Sequence, residues 1–381
     1  MRMRFLNVFL LVAHLNFVTS LFSEELSYSL FEGSKETAAV TVKRSGLVHT
    51  KLLTTPGNPE IAPAFSALIQ QLTDIATSFE TSTAAVAKLN LYLNTDKQSE
   101  LDAVQALVHS HWGKGKAPAL TLIPSKLPDG GLLAGDAVIA ASEPRSEIPT
   151  PNPTAAMTDP RRDIIYVSGR AASGELAPAT AQTMEQIFDV LKHLKSAPQD
   201  IVQVKAFIQP VDQWKIVEAE IVKSFGGNSP PIVYVEWTSG SRATEIEVIA
   251  SSPIHQESKE SASYFTPPGE NASPVFSRVS IVHADKVIYF SGHRGGGSEA
   301  DSEAIYAQLK RTAKASGTDL RHFAKATYYV TTPEASASLN AVRPGHYDPA
   351  RPPAASKVMI RSLGAGDTQV LIDMVAAPVG K

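Results

Sequence analysis

Two places in the chain set side chains capable of chemistry directly after an apolar run: Ser168-Gly169-Arg170 closes "DIIYVSGR", and Ser291-Gly292-His293-Arg294 closes "KVIYFSGHR". A glycine after such a run can open a phosphate-binding turn. Neither copy carries the Lys-Ser/Thr pair of a P-loop or the glycine spacing of a dinucleotide fingerprint. Ser168 also lacks the Gly-x-Ser-x-Gly elbow of an acyl-transfer nucleophile. His109 and His111 are two apart in a helical pattern, which points them to different faces, and no acidic residue is close by, so no metal site is expected. The Ser-Gly pairs therefore read as strand ends that start a crossover, and their repetition is the stronger lead.

Composition narrows the function classes. A chain of 381 residues suits two or three domains. Its net charge of -3, without a Lys/Arg block, gives nucleic acid nothing to bind to. The absence of cysteine removes disulfides, thiolate nucleophiles and Cys-ligated zinc, and no motif implies a cofactor. Residues 1–23 have the layout of a secretory signal, a basic start followed by "FLNVFLLVAHLNFVTS", which would place the mature protein in the periplasm or outside the cell. A misassigned start codon or a buried first strand is the alternative, with a cytoplasmic protein. No segment reads as a membrane span.

Stretches rich in Pro, Ser and Glu at 143–160 and 255–274 read as linkers. They leave three units, 24–142, 161–254 and 275–381. Ser168 precedes Ile232 of "PPIVYVEW" by 64 residues, and Ser291 precedes Ala355 of "RPPAASKVMI" by 64; the same step back from Leu120 of "KAPALTLIP" reaches Pro56-Gly57. Between these marks lie amphipathic helices, with Phe65, Leu68, Ile69, Leu72, Ile75, Ala76 and Phe79 on one face in the first unit and Met184, Ile187, Phe188, Leu191 and Leu194 in the second. A strand follows each ("AKLNLYL", "VQVKAFI", "AKATYYV"), then a second helix, cut short in the third unit by Pro344.

Two closing strands surround the turns "LPDGG", "TSGS" and "LGAG". Each unit thus reads as hairpin, helix, strand, helix, hairpin: an α+β fold with two helices on one face of a mixed sheet. As a hairpin, the closing pair would set Ile232 opposite Glu245, Leu120 opposite Gly135 and Ala355 opposite Leu371. The terminal strands are apolar on both faces, whereas helices can cover only one.

The order and spacing of these motifs, in triplicate, resemble the RidA family, also called YjgF/YER057c/UK114, over nearly all the chain after about residue 35. The resemblance implies a chorismate-mutase-like fold whose three sheets close into a barrel, here an intrachain pseudo-trimer and a monomer. It also implies an enamine and imine deaminase chemistry in which an arginine binds the substrate carboxylate and a glutamate positions water. The arginine position holds Leu120, Ile232 and Ala355, so the bidentate fork is absent from all three units. The glutamate position keeps a carboxylate only at Glu245, with Gly135 and Leu371 in the other units. Glu245 reads equally as a general base or as a structural carboxylate. Arg170 and His293, beside Ser168-Gly169 and Ser291-Gly292, are candidate substitutes for the cation. The expectation is a small metabolite bound between repeats; the alternatives are a deaminase with a substitute cation and a purely structural scaffold.

Overall fold

The computed structural model describes residues 26–141, 152–238, 240–253, 258–364 and 366–380. The signal expected at 1–23 lies outside these residues, as does 143–151 of the first linker.

Strands β1 (Leu26–Leu30) and β2 (Thr37–Lys43) come first. The first unit runs β3 (Leu47–Thr50), β4 (Leu53–Thr54), α1 (Ile61–Ser78), β5 (Val86–Leu93), α2 (Gln98–Trp112), β6 (Ala119–Pro124) and β7 (Leu133–Ala140). After β8 (Ala155–Met157), the second unit runs β9 (Ile164–Arg170), α3 (Leu176–His193), β10 (Ile201–Ile208), α4 (Trp214–Ser224), β11 (Ile232–Glu236) and β12 (Thr244–Ser251). After β13 (Ala262–Phe265) and β14 (Val279–Val282), the third runs β15 (Lys286–Phe290), β16 (His293–Gly295), α5 (Glu299–Ala315), β17 (Phe323–Val330), α6 (Pro333–Val342), β18 (Ala354–Met359) and β19 (Val370–Ala376). Both presumed linkers thus carry a strand, β8 in one and β13 in the other.

Local chemistry accounts for the helices. α1 buries Ala64, Phe65, Leu68, Leu72, Ile75 and Ala76, one 3.6-residue stripe. α5 opens on a capping box between Ser298 and Asp301. α6 starts from a Thr332 cap with Pro333 in its first turn, and it stops short of Pro344.

In every unit the strand after the first helix is central. β5, β10 and β17 each have a parallel neighbour (β6, β11, β18) on one side and an antiparallel one (β7, β12, β19) on the other. The closing strands are therefore not hairpins. Ile232 aligns with Val204 and, across it, with Val248, while Glu245 aligns with Phe207; Leu120 with Gly135 and Ala355 with Leu371 are separated in the same way. The reason is length: residues 237–243, at up to about 3.3 Å each, easily step over one strand to a site two spacings of roughly 4.8 Å away.

The opening hairpins are exchanged as well. β14 pairs with β9 rather than β15, β8 with β3, and β2 with β15. The first strand of each unit therefore completes the sheet of the unit before it, and the first strand of unit one completes unit three. An exchanged strand keeps the same antiparallel hydrogen bonds and the same alternation, so the sequence pattern is identical in either arrangement.

Three separate sheets result, and among the described residues none closes on itself, so the expected barrel is not a closed sheet. Their inner faces nevertheless share a core that joins Leu89 of the first unit, Tyr166 and Val202 of the second, and Tyr289 and Val375 of the third. That packing covers the second apolar face, which the helices leave open.

Candidate functional site

Each unit ends its first core strand against the motif strand of the next. Gly292 N donates to Leu120 O (2.9 Å) and Leu52 N to Ile232 O (3.0 Å). In the third such cleft, Gly169 and Glu245 of the second unit lie against Ala355, Ser356 and Lys357 of the third. Glu245 thus meets the Ala355 position, not Ile232 of its own unit. Two residue equivalences also move. Lys51, Ser168 and Ser291 make matching backbone bonds, their N–H groups donating to Thr154, Arg278 and Ala38 O. Lys51-Leu52 therefore stand where Pro56-Gly57 were expected, because the first unit has 69 rather than 64 residues between this point and Leu120. The strand register sets Ala134, not Gly135, at the Glu245 position, since Tyr92 pairs with Ala134 as Phe207 pairs with Glu245.

The cleft between units two and three, of about 440 Å³, sets the Glu245 carboxyl among three basic side chains. Gly169 is required beside Glu245: a Cβ there would collide with the Glu245 carboxylate and with Ser356 Oγ. Burial, reinforced by the neighbouring Glu247 carboxylate, pushes the Glu245 pKa up to about 8, against the opposing pull of Ser356 and Lys357. At neutral pH Glu245 is mostly a neutral acid, able to donate a proton or a hydrogen bond.

Three cations line the same cleft, and none follows from motif spacing. Arg343, at the end of α6, is 7% exposed, lies 4.7 Å over the Tyr328 ring, and donates from Nη2 to Asn340 Oδ1 (2.6 Å). Its Nε is buried without a hydrogen-bond partner. Lys357 donates to the same Asn340 oxygen (3.1 Å), and burial lowers its pKa. Arg278 is held with Arg170 on Glu270: Arg170 Nη2 is 2.6 Å from Oε1 and Arg278 Nε 2.8 Å from Oε2. The one candidate foreseen here, Arg170, is engaged by an internal carboxylate.

The other two clefts lack a carboxylate at the Glu245 position. Between units three and one, Leu120, Gly292 and Arg294 line a space of about 440 Å³. Ser291 Oγ is structural there, donating to Thr37 O (2.6 Å) and accepting from Leu120 N (3.0 Å). His293 supplies no cation. It is buried, its nitrogens lie 2.8 Å from Ser291 O and 3.2 Å from Thr312 Oγ1, and desolvation lowers its pKa to about 4. Arg294 donates to Leu122 O (3.2 Å). Between units one and two, Leu52 and Ile232 meet Trp214, Tyr234 and Glu218. Ser168 Oγ is buried with no partner among the described residues. Among the described residues, no three His, Asp or Glu side chains are grouped to hold a metal ion, and no helix is long and apolar enough to cross a membrane.

No protein-family model matches the chain, and no curated protein does. Its neighbours among solved structures include YjgF/RidA proteins. A YjgF-family protein from Neisseria meningitidis is 23% identical, over 32% of this chain and 100% of its own, with a TM-score of 0.24. A RidA from Psychrobacter is 18% identical over 32% and 98%, with a TM-score of 0.23. A YjgF/YER057c/UK114 protein from Mycobacterium tuberculosis is 23% identical over 23% and 78%, with a TM-score of 0.22.

Proposed function

We propose that the chain is a diverged RidA-like pseudo-trimer in one polypeptide, which binds a small carboxylate-bearing metabolite in the cleft between its second and third units. The observation that carries this is the meeting of Arg343, Lys357 and Glu245 around the small Ala355 in one cleft. Cations supplied from α6 and β18 stand in for the absent motif arginine, and a protonated Glu245 adds a donor without repelling an anion. Isothermal calorimetry with 2-oxobutanoate, a stable analogue of a 2-imino acid, tests it. Saturable binding is expected, weakened roughly 10- to 100-fold in Lys357→Gln and in Arg343→Gln, as the loss of a charged hydrogen bond implies. Absence of binding, or binding unchanged in both variants, would overturn the proposal.

A second reading has its own support in the pKa of Glu245. A carboxyl poised near 8 suits proton transfer at neutral pH, which makes an imine or enamine hydrolase at the same cleft the alternative. Ammonia release from freshly generated 2-iminopropionate, abolished by Glu245→Gln, would select it over simple binding.

A further inference from the structure

Away from the clefts, three side chains meet with the geometry of a nucleophile, a base and an orienting acid. Ser263 Oγ lies 2.8 Å from His283 Nε2, and His283 Nδ1 lies 2.7 Å from Asp163 Oδ2. Adjacent strands bring them together. β14 pairs Val282 with Ile164 of β9 and with Ala262 of β13, so His283 and Asp163 fall at the next position along, with Ser263 diagonal to them. Period-two alternation puts Asp163, Ile165, Ile281, His283 and Ser263 on one face. α3 packs on that face at β9 and β12, where Ile165 shares a core with Met184 and Ile187.

We propose that Ser263 is an activated nucleophile and that the chain hydrolyses small esters with short apolar acyl groups at this place. Asp163 is wholly buried, and Arg44 Nη1 pairs with its other oxygen at 3.3 Å. A carboxylate accepts, which puts a proton on Nδ1 of His283, and in the neutral imidazole Nε2 then accepts from Ser263. This tautomer is the one a general base needs. β13 is the edge strand of its sheet and Ser263 is only partly buried, so an acyl group can approach from solvent. Phe265, also part-exposed, follows on the same face and offers apolar contact.

The chemistry balances with water alone. Ser263 Oγ bonds to the ester carbonyl carbon as its proton passes to His283 Nε2, and Nε2 returns that proton to the departing alkoxide when the ester C–O bond breaks. Water, giving a proton to Nε2, then attacks the acyl-serine. The bond from Oγ to the acyl carbon breaks, and Oγ regains the proton, leaving a carboxylic acid and an alcohol.

The full chain treated with a fluorophosphonate and digested for peptide mass spectrometry should carry one adduct, on Ser263. It should also turn over p-nitrophenyl butyrate. Ser263→Ala should lose both, and His283→Gln should slow labelling about 100-fold or more, the usual share of a general base. The adduct on the wild type decides the matter even where a variant folds poorly. No adduct at Ser263 under excess probe, or a folded His283→Gln chain labelled at the wild-type rate, would overturn the proposal.

Discussion

Glu245 shows how one residue's surroundings set what the candidate cleft can do. Its side chain is packed over Gly169 and beside Glu247, so the charged form loses hydration and meets a like charge. The folded state therefore holds a proton that the unfolded chain, with an ordinary value near 4.5, releases earlier. A raised carboxyl pKa contributes full stability below the unfolded value, and the contribution is lost as pH rises through the folded one. Glu245→Gln carries no such dependence. The variant should match the wild type in melting temperature near pH 4.5 and gain over it progressively up to about pH 8, with a constant gain above. Equal melting curves for the two proteins across that range would contradict the assigned protonation state. The resemblance and the residue spacing identified Glu245, but nothing in either pointed to Arg343, Lys357 or Arg278. Arg343 reaches the cleft from a helix end, Lys357 from β18 and Arg278 from just before β14, and all three are more than 30 positions from Glu245 in sequence.

The elements divide by how local their causes are. Helices α1 and α3 were legible because the 3.6-residue stripe, Phe65 to Ala76 in one and Met184 to Leu191 in the other, is written in consecutive residues. The short α6 was legible from Pro344. Strand partners were not. A turn motif such as Thr-Ser-Gly-Ser marks a reversal in the sequence without saying whether the next strand pairs with the last or passes over it, and the alternation of β14 fits β9 as well as β15. The exchange of first strands has a measurable consequence. β2 hydrogen-bonds to β15 of the third unit, from Ala39 opposite Phe290 to Lys43 opposite Lys286, rather than to β3. A chain beginning at Ser45 should therefore lose amide-exchange protection at the β15 amides that face β2, those facing β19 being kept, while Val48–Thr50 stay protected by β7 and β8. Loss of protection in β3 with β15 intact would show that β2 belongs to its own unit.

At the scale of the whole molecule, three ion pairs bind the units in a cycle. Lys88 of the first unit is 2.6 Å from Asp373 of the third, Lys205 of the second 3.4 Å from Asp136 of the first, and Lys325 of the third 2.7 Å from Glu247 of the second. The three acids are register equivalents, facing Asn90, Lys205 and Thr327 on the central strands, each one position beyond the residue that faces Leu120, Ile232 or Ala355. Burial pulls the Lys88 pKa down in spite of Asp373. It also works against Lys205, yet Asp136, Glu247 and Asp373 together hold that lysine above its usual value. Such pairs add little net stability, because desolvation offsets most of the attraction. They do penalise any arrangement in which one partner is buried alone, so they favour the cyclic docking of all three units. Lys88 is satisfied in full, donating also to Thr121 Oγ1 and Phe290 O, both at 2.7 Å. Asp373→Ala leaves that ammonium buried without its carboxylate and should cost about 3–5 kcal/mol in urea unfolding. The double replacement Lys88→Met, Asp373→Leu should recover most of the loss, since an apolar pair of similar volume often serves as well as a buried ion pair. The chain should sediment as a single-chain mass throughout, the cycle being complete within one polypeptide. A cost under about 1 kcal/mol for Asp373→Ala, of the size typical for exposed pairs, would mean that water reaches Lys88 and that the three units are not docked around these charges.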